Sequence, residues 1–247
     1  MVIGQNYPFE IVTNCGTAPD ANVYYAACRG GVYEVDYVEA LNWIVDQSQA
    51  LPTQDKIRVV SVSAAPGVAG TTSEPDQERW ELARARAEEA GILVLDCTPS
   101  FCFIGRCWYD SNDPENVTKC TPGAPGMDPW FDPNIILAPS SPRTTAEQYY
   151  SDSFSYQYCG RGGLSWSIPY CAGVLAMGWQ IRPEISGDRM RQLLFESAYV
   201  NDQGARIINP QSFIELVRQT ASADLDKDGD VDFMDFSLFA EQWMQAE

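Results

Sequence analysis

Gly162-Gly163-Leu164-Ser165-Trp166-Ser167-Ile168-Pro169-Tyr170-Cys171-Ala172-Gly173-Val174-Leu175-Ala176-Met177-Gly178-Trp179 decides how this chain is read. Two glycines lead into a serine, and an uncharged apolar run follows. It is long enough for several helical turns, and a helix that is apolar all round is a buried one. Pro169 is expected in the first turn, where a missing N–H costs nothing. Ser165 is then at the N-terminal end of a central helix. Unpaired backbone N–H groups and the positive end of the helix dipole gather there. Such a place suits a nucleophile whose reaction develops an oxyanion. It equally suits a serine that only caps the helix, and position alone does not separate the two.

Outward from this stretch, apolar strands alternate with helices. Asn22 to Cys28 reads as a strand, and Glu34 to about Gln49 as a helix with Val38, Leu41, Ile44 and Val45 at helical spacing. Ile57 to Ser63 reads as a β-branched strand, and Pro75 to Ala90 as an amphipathic helix stopped by Gly91. Ile92 to Cys97 is a buried strand, and Asn134 to Pro139 a short one. Thr98 to about Asp132 reads as irregular. Helices are expected from about Ser186 to Ser197 and from Pro210 to about Thr220. This order implies βαβ units and a mostly parallel sheet covered on both faces, a three-layer α/β/α domain. Its active site belongs outside the C-terminal ends of the strands, where the loops after Ser63 and Cys97 meet the one before Ser165.

The net charge of −18 argues against nucleic acid or anionic lipid as partner. No run is long enough to span a membrane. Eight cysteines with no Cys-x-x-Cys pair and no histidine argue for disulfides in an oxidising compartment rather than a zinc site. Cys102, Cys107 and Cys120 cluster with Trp108 and Asn112 in what reads as a stapled surface loop, with the pairing open. Cys171 reads as a small core residue.

Gly163-Leu164-Ser165-Trp166-Ser167-Ile168-Pro169-Tyr170-Cys171-Ala172-Gly173 resembles the serine motif of the subtilisin-like serine peptidases (subtilases), Gly-Thr-Ser-Met-Ala-x-Pro-His-Val-Ala-Gly. Leu164, Trp166 and Tyr170 depart from it. Further pieces follow in the family's order. Gly16-Thr17-Ala18-Pro19-Asp20-Ala21 with Val23-Tyr24 resembles the Gly-Val-Ala-Pro strand entry. Val59 to Ser63 resembles the strand whose next residues, here Ala64 and Ala65, pair with substrate backbone. Gly91 to Val94, Ile136 to Pro139 and Gly187 to Leu194 match later segments. The resemblance implies a subtilisin-type fold over residues 1–220, a polypeptide substrate, and a secreted or cell-surface location. It implies Ser165 as nucleophile, with Ser100 and the Ser165 N–H as oxyanion donors; Ser100 falls near the Asn of the family's Ala-Gly-Asn.

The base and its orienting carboxylate have no counterpart here. Met1-Val2-Ile3-Gly4 aligns with the end of the family's His-Gly-Thr-x-Val-Ala-Gly, and the first residues lack a secretory leader's features. The expectation is a sequence that starts partway through a longer peptidase, with these 247 residues inactive alone. The alternative is a subtilase-fold binding or scaffold module that never had the base.

Residues 221–247 carry Asp224-Leu225-Asp226-Lys227-Asp228-Gly229-Asp230-Val231-Asp232-Phe233-Met234-Asp235. Carboxylates at loop positions 1, 3, 5, 9 and 12, with glycine at 6, follow the EF-hand template for Ca²⁺. Asp224, Asp226, Asp228, Asp232 and Asp235 would supply carboxylates and Asp230 its backbone carbonyl, with Phe236 to Met244 as the following helix. The string resembles one repeat of a type I dockerin, which implies a cohesin-like partner. Dockerins use two repeats, so a structural Ca²⁺ clip stands beside that reading.

Overall fold

The computed structural model describes residues 17–19, 21–26, 34–66, 74–108, 120–122, 132–141, 143–150, 153–159, 162–220, 225 and 232–245. Helix α1 (Glu34–Ala50) leads through a short 3-10 turn to strand β1 (Val59–Val62). Helix α2 (Glu74–Glu89) ends at Gly91, whose φ of 75° is the left-handed conformation glycine accepts without cost. Strand β2 (Leu93–Asp96) follows and pairs in parallel with β1 from Val59↔Leu93 to Val62↔Asp96.

The stretch read as irregular contains β3 (Ile104–Trp108) and β4 (Thr121–Pro122). Next come β5 (Ile136–Ser141) and an antiparallel pair, β6 (Arg143–Tyr150) and β7 (Ser153–Cys159). The apolar stretch is α3 (Leu164–Ile181), followed by α4 (Gly187–Glu196), β8 (Tyr199–Val200), β9 (Arg206–Ile207), α5 (Pro210–Gln219) and α6 (Phe233–Gln245). Strand β3 pairs in parallel with β5, and β5 in parallel with β9; β4 and β8 add antiparallel edges. Among the described strands, β1–β2 and β4-β3-β5-β9-β8 are separate sheets with parallel pairing at their centres, and the α/β architecture is the one the sequence implied.

The β1–β2 sheet has a core on each face, and the five-stranded sheet β4-β3-β5-β9-β8 shares one of them. Leu93, Leu95, Ile104, Ile136 and Ala138 pack under α3, α4 and α5. Val60 and Val94 pack under α1 and α2, against Val45 and Trp80. Leu93 and Leu95 thus face one layer and Val94 the other, the two-residue alternation of a strand buried on both sides. Cys171 is in the α3 core, as expected.

The strand expected from Asn22 to Cys28 is not formed over its described part, 22–26. A strand needs a hydrogen-bonding neighbour, and here a cavity of about 610 Å³ lies between that segment and β1. Val23, Leu41, Val60 and Ala172 line it, and Tyr24 and Tyr25 stay exposed. No described helix is long and apolar enough to cross a membrane.

Candidate functional site

Helix α3 begins one residue earlier than expected, with Gly163 as its N-cap and no side-chain cap hydrogen bond. Ser165 is therefore inside the first turn, and the capping role that competed with a functional one is not the role it has. Its side chain is exposed, and its hydroxyl donates to the Ser63 carbonyl at 3.4 Å. The Ser63 hydroxyl returns a bond to the Ser165 carbonyl at 2.8 Å.

That second bond follows from Pro169. With the helix starting at Leu164, Pro169 falls in the second turn, not the first. A proline there removes the bond to the carbonyl four residues back, which is the carbonyl of Ser165. The Ser63 hydroxyl occupies the acceptor that Pro169 leaves open, so the end of β1 is tied to the first turn of α3. Further along, the Ser167 hydroxyl donates to the Ala138 carbonyl of β5 at 3.0 Å. Gly162 N–H donates to the Ser141 hydroxyl. A Cβ at Gly162 would collide with the Ser140 carbonyl, so the glycine before the serine is a packing requirement. Strands β1 and β5 thereby fix where Ser165 stands.

Sequence reasoning missed Cys97. It follows β2, its N–H donates to the Ala64 carbonyl at 2.8 Å, and its side chain is hydrogen-bonded to that of Ser165. Burial raises the Cys97 thiol to about 11, with Cys102 and Asp96 adding to the rise and the Ser165 bond opposing it. A thiol in that state is protonated near neutral pH, so it does not stand in for the missing base. The loop after Cys97 is expected beside Ser165 from the sequence, but nothing there marks the cysteine itself as the residue that meets it. Alkylation of Cys97 by iodoacetamide is expected to be slow below pH 9 and to rise with a midpoint near 11, followed by peptide mass spectrometry. A midpoint at the ordinary thiol value would show that Cys97 is not enclosed as described.

Ser100 is exposed in the turn just past Cys97. That turn is built on Thr98, whose carbonyl accepts from Phe101 N at 3.0 Å and Cys102 N at 2.9 Å. Asn112 lies outside the described residues. Cys107 and Cys120 form a disulfide that joins β3 to the start of β4, while Cys102 is a free thiol.

In the C-terminal segment Asp224, Asp226, Asp228 and Asp230 lie outside the described residues, and Asp232 and Asp235 within them. The Asp235 carboxylate is buried and accepts from Leu225 N–H and, at 2.8 Å, from Asp232 N–H. It thereby ties Leu225 to Asp232. Asp232 accepts from Met234 N at 2.7 Å and so caps α6. The loop's donors are hard oxygens, which fit Ca²⁺. Helix α6 exposes Phe233, Phe236, Phe239 and Trp243.

No protein family matches the sequence, and no curated protein does. Solved structures do match. Fervidolysin from Fervidobacterium pennivorans, a keratinolytic enzyme related to subtilisin, is similar over 74% of this chain at 14% identity and a TM-score of 0.50. A protease from Pseudoalteromonas arctica PAMC 21717 is similar over 82%, at 17% identity and 0.56. The self-cleaved protease domain of PatA is similar over 88%, at 15% identity and 0.56. The chain spans 29% of the fervidolysin chain, 65% of the Pseudoalteromonas one and 80% of the PatA domain. At these identities the likeness is one of fold, and the described residues adopt a subtilisin-like α/β fold.

Proposed function

We propose that this chain is the serine-bearing part of a subtilisin-like endopeptidase, cleaving peptide bonds by acyl transfer to Ser165. The observation that carries the reading is the placement of Ser165. Its hydroxyl is exposed, does not cap its helix, and stands in the first turn of the buried α3 at the end of β1. In this reading Ser165 attacks the scissile carbonyl, and the N–H groups at the start of α3, with Ser100, receive the oxyanion. The hydroxyl needs a base, and the chain has no histidine. The base and the carboxylate that orients it come from outside these residues, so the chain alone is inactive. A disulfide between Cys107 and Cys120 supports an exported protein.

The test is fluorophosphonate treatment of the full-length gene product, with the adduct mapped by peptide mass spectrometry. An adduct on Ser165 is expected. Absence of any adduct, in a folded protein that carries a histidine-containing upstream region, would sink the reading. The second reading, a binding module on a subtilase fold, is favoured by the missing histidine and by the protonated thiol beside Ser165.

For residues 221–247 we propose one Ca²⁺ held by Asp224, Asp226, Asp228, Asp232 and Asp235, with the Asp230 carbonyl. The ion would draw the loop's carboxylates together and stiffen the start of α6, presenting its aromatic face to a cohesin-like partner or closing a structural clip. Calorimetric titration with Ca²⁺ is expected to give one site per chain. Asp228→Ala is expected to weaken it by at least about tenfold, because affinity follows the count of charged ligands. Unchanged affinity in that variant would place the ion elsewhere.

A further inference from the structure

Strand β2 ends in a charge that an apolar strand has no need of. The Asp96 side chain is 1% exposed and points to the α2 layer, opposite to Leu95. One carboxylate oxygen accepts from Thr98 N at 2.7 Å. The other accepts from Trp80 Nε1 at 3.0 Å and Arg84 Nη1 at 2.7 Å. The Arg84 guanidinium, 7% exposed, also lies 4.4 Å from the centroid of the Phe101 ring. The pair therefore grips the turn at two points, Thr98 by hydrogen bond and Phe101 by its ring. On the opposite layer the same turn begins at Cys97, which meets Ser165.

We propose that Asp96 and Arg84 are positioning residues for the Ser165 site, clamping the turn 97–102 to α2 and so fixing Cys97 and the Ser100 turn against the first turn of α3. The inference rests on the reading of Ser165 as the reacting group. A buried ion pair is a poor way to gain stability, since apolar side chains of the same volume often serve as well or better. What it supplies is direction. A carboxylate with three donors at fixed angles holds one orientation, which an apolar contact does not. Direction matters where a displacement of about 1 Å costs on the order of a hundredfold in rate.

The test compares Arg84→Met, Arg84→Lys and Asp96→Asn in the full-length protein. Fluorophosphonate inactivation is resolved into inhibitor affinity and the rate of the covalent step. Amide hydrogen exchange is followed at Thr98, Phe101 and Cys102. Arg84→Met is expected to slow the covalent step by about tenfold or more with affinity nearly unchanged. Exchange should accelerate within 98–102 and not in β1 or α3, and Arg84→Lys should recover much of both. A folded Arg84→Met variant with an unchanged covalent step overturns the proposal. So does a loss of rate and affinity together that Arg84→Lys does not relieve. If the unsubstituted protein takes no adduct, it is the Ser165 reading that fails. The clamp is then judged on exchange alone, where unchanged rates at Thr98, Phe101 and Cys102 in Asp96→Asn overturn it. Should Arg84→Met not fold, Asp96→Asn, which keeps the size and an acceptor, carries the same comparison.

Discussion

Alanine in place of Ser165 is expected to abolish fluorophosphonate labelling of the full-length protein, by roughly three orders of magnitude or more, without unfolding it. The size of the effect follows from the chemistry: neither of the serines bonded beside it on β1 and α3 takes its place. The Ser63 hydroxyl is committed to the Ser165 carbonyl, and that of Ser167 is buried against Ala138. Cys97, the other group within reach, keeps its proton. Stability is expected to stay within about 0.5 kcal/mol, because an exposed side chain loses a 3.4 Å hydrogen bond to Ser63 and its bond to the Cys97 thiol, and no cap. Denaturant midpoints measured alongside the labelling separate the two effects. Had Ser165 been a cap, the same substitution would cost about 1 kcal/mol. Retained labelling in Ser165→Ala would place the reacting group elsewhere.

The elements that bury a continuous face were legible in the sequence. Helices α1, α2, α4 and α5 come out close to their expected bounds, because their apolar spacing or their end signals are intact. Ser186 and Asn209 cap α4 and α5 by accepting from Arg189 N and Ser212 N. Strands β1, β2 and β5 were legible because they are β-branched or apolar on both faces. Strand β3 was not. Its Gly105 and Arg106 interrupt the pattern, and its cysteine belongs to a disulfide. The β6–β7 pair does carry a two-residue period: Phe154, Tyr156 and Tyr158 alternate with Ser155 and Gln157.

The candidate site divides in the same way. Ser165 was legible through its glycines and the apolar run behind it. Cys97 and the Asp96–Arg84–Trp80 contacts were not, since they depend on which layer each residue of β2 faces. The segment 22–26 shows the opposite failure. Its strand-like composition is plain, but a strand is a relation between two chains, and β1 pairs only with β2 among the described strands.

The packing of α3 leads to the second large effect, at Gly178. A Cβ there would stand 2.7 Å from Met190 Sδ of α4 and 2.7 Å from Phe213 Cζ of α5. Both side chains are fully buried, so neither has free space to move into. Glycine at this position is what lets three helices meet on one face of the sheet. Gly178→Val adds a branched side chain at the junction, and overpacking of this kind costs typically 1–3 kcal/mol. With two neighbours displaced at once, the expected loss is about 3 kcal/mol or more, read from the denaturation midpoint. Met190→Ala alone opens a cavity and is expected to cost about 2–5 kcal/mol. In the double variant the valine enters the space that Met190 leaves, so the two losses should fall short of their sum by about 1 kcal/mol or more. Strict additivity would mean that Gly178 and Met190 do not share the junction. A neutral Gly178→Val would mean that the helices α3, α4 and α5 are not packed as closely as the structure places them.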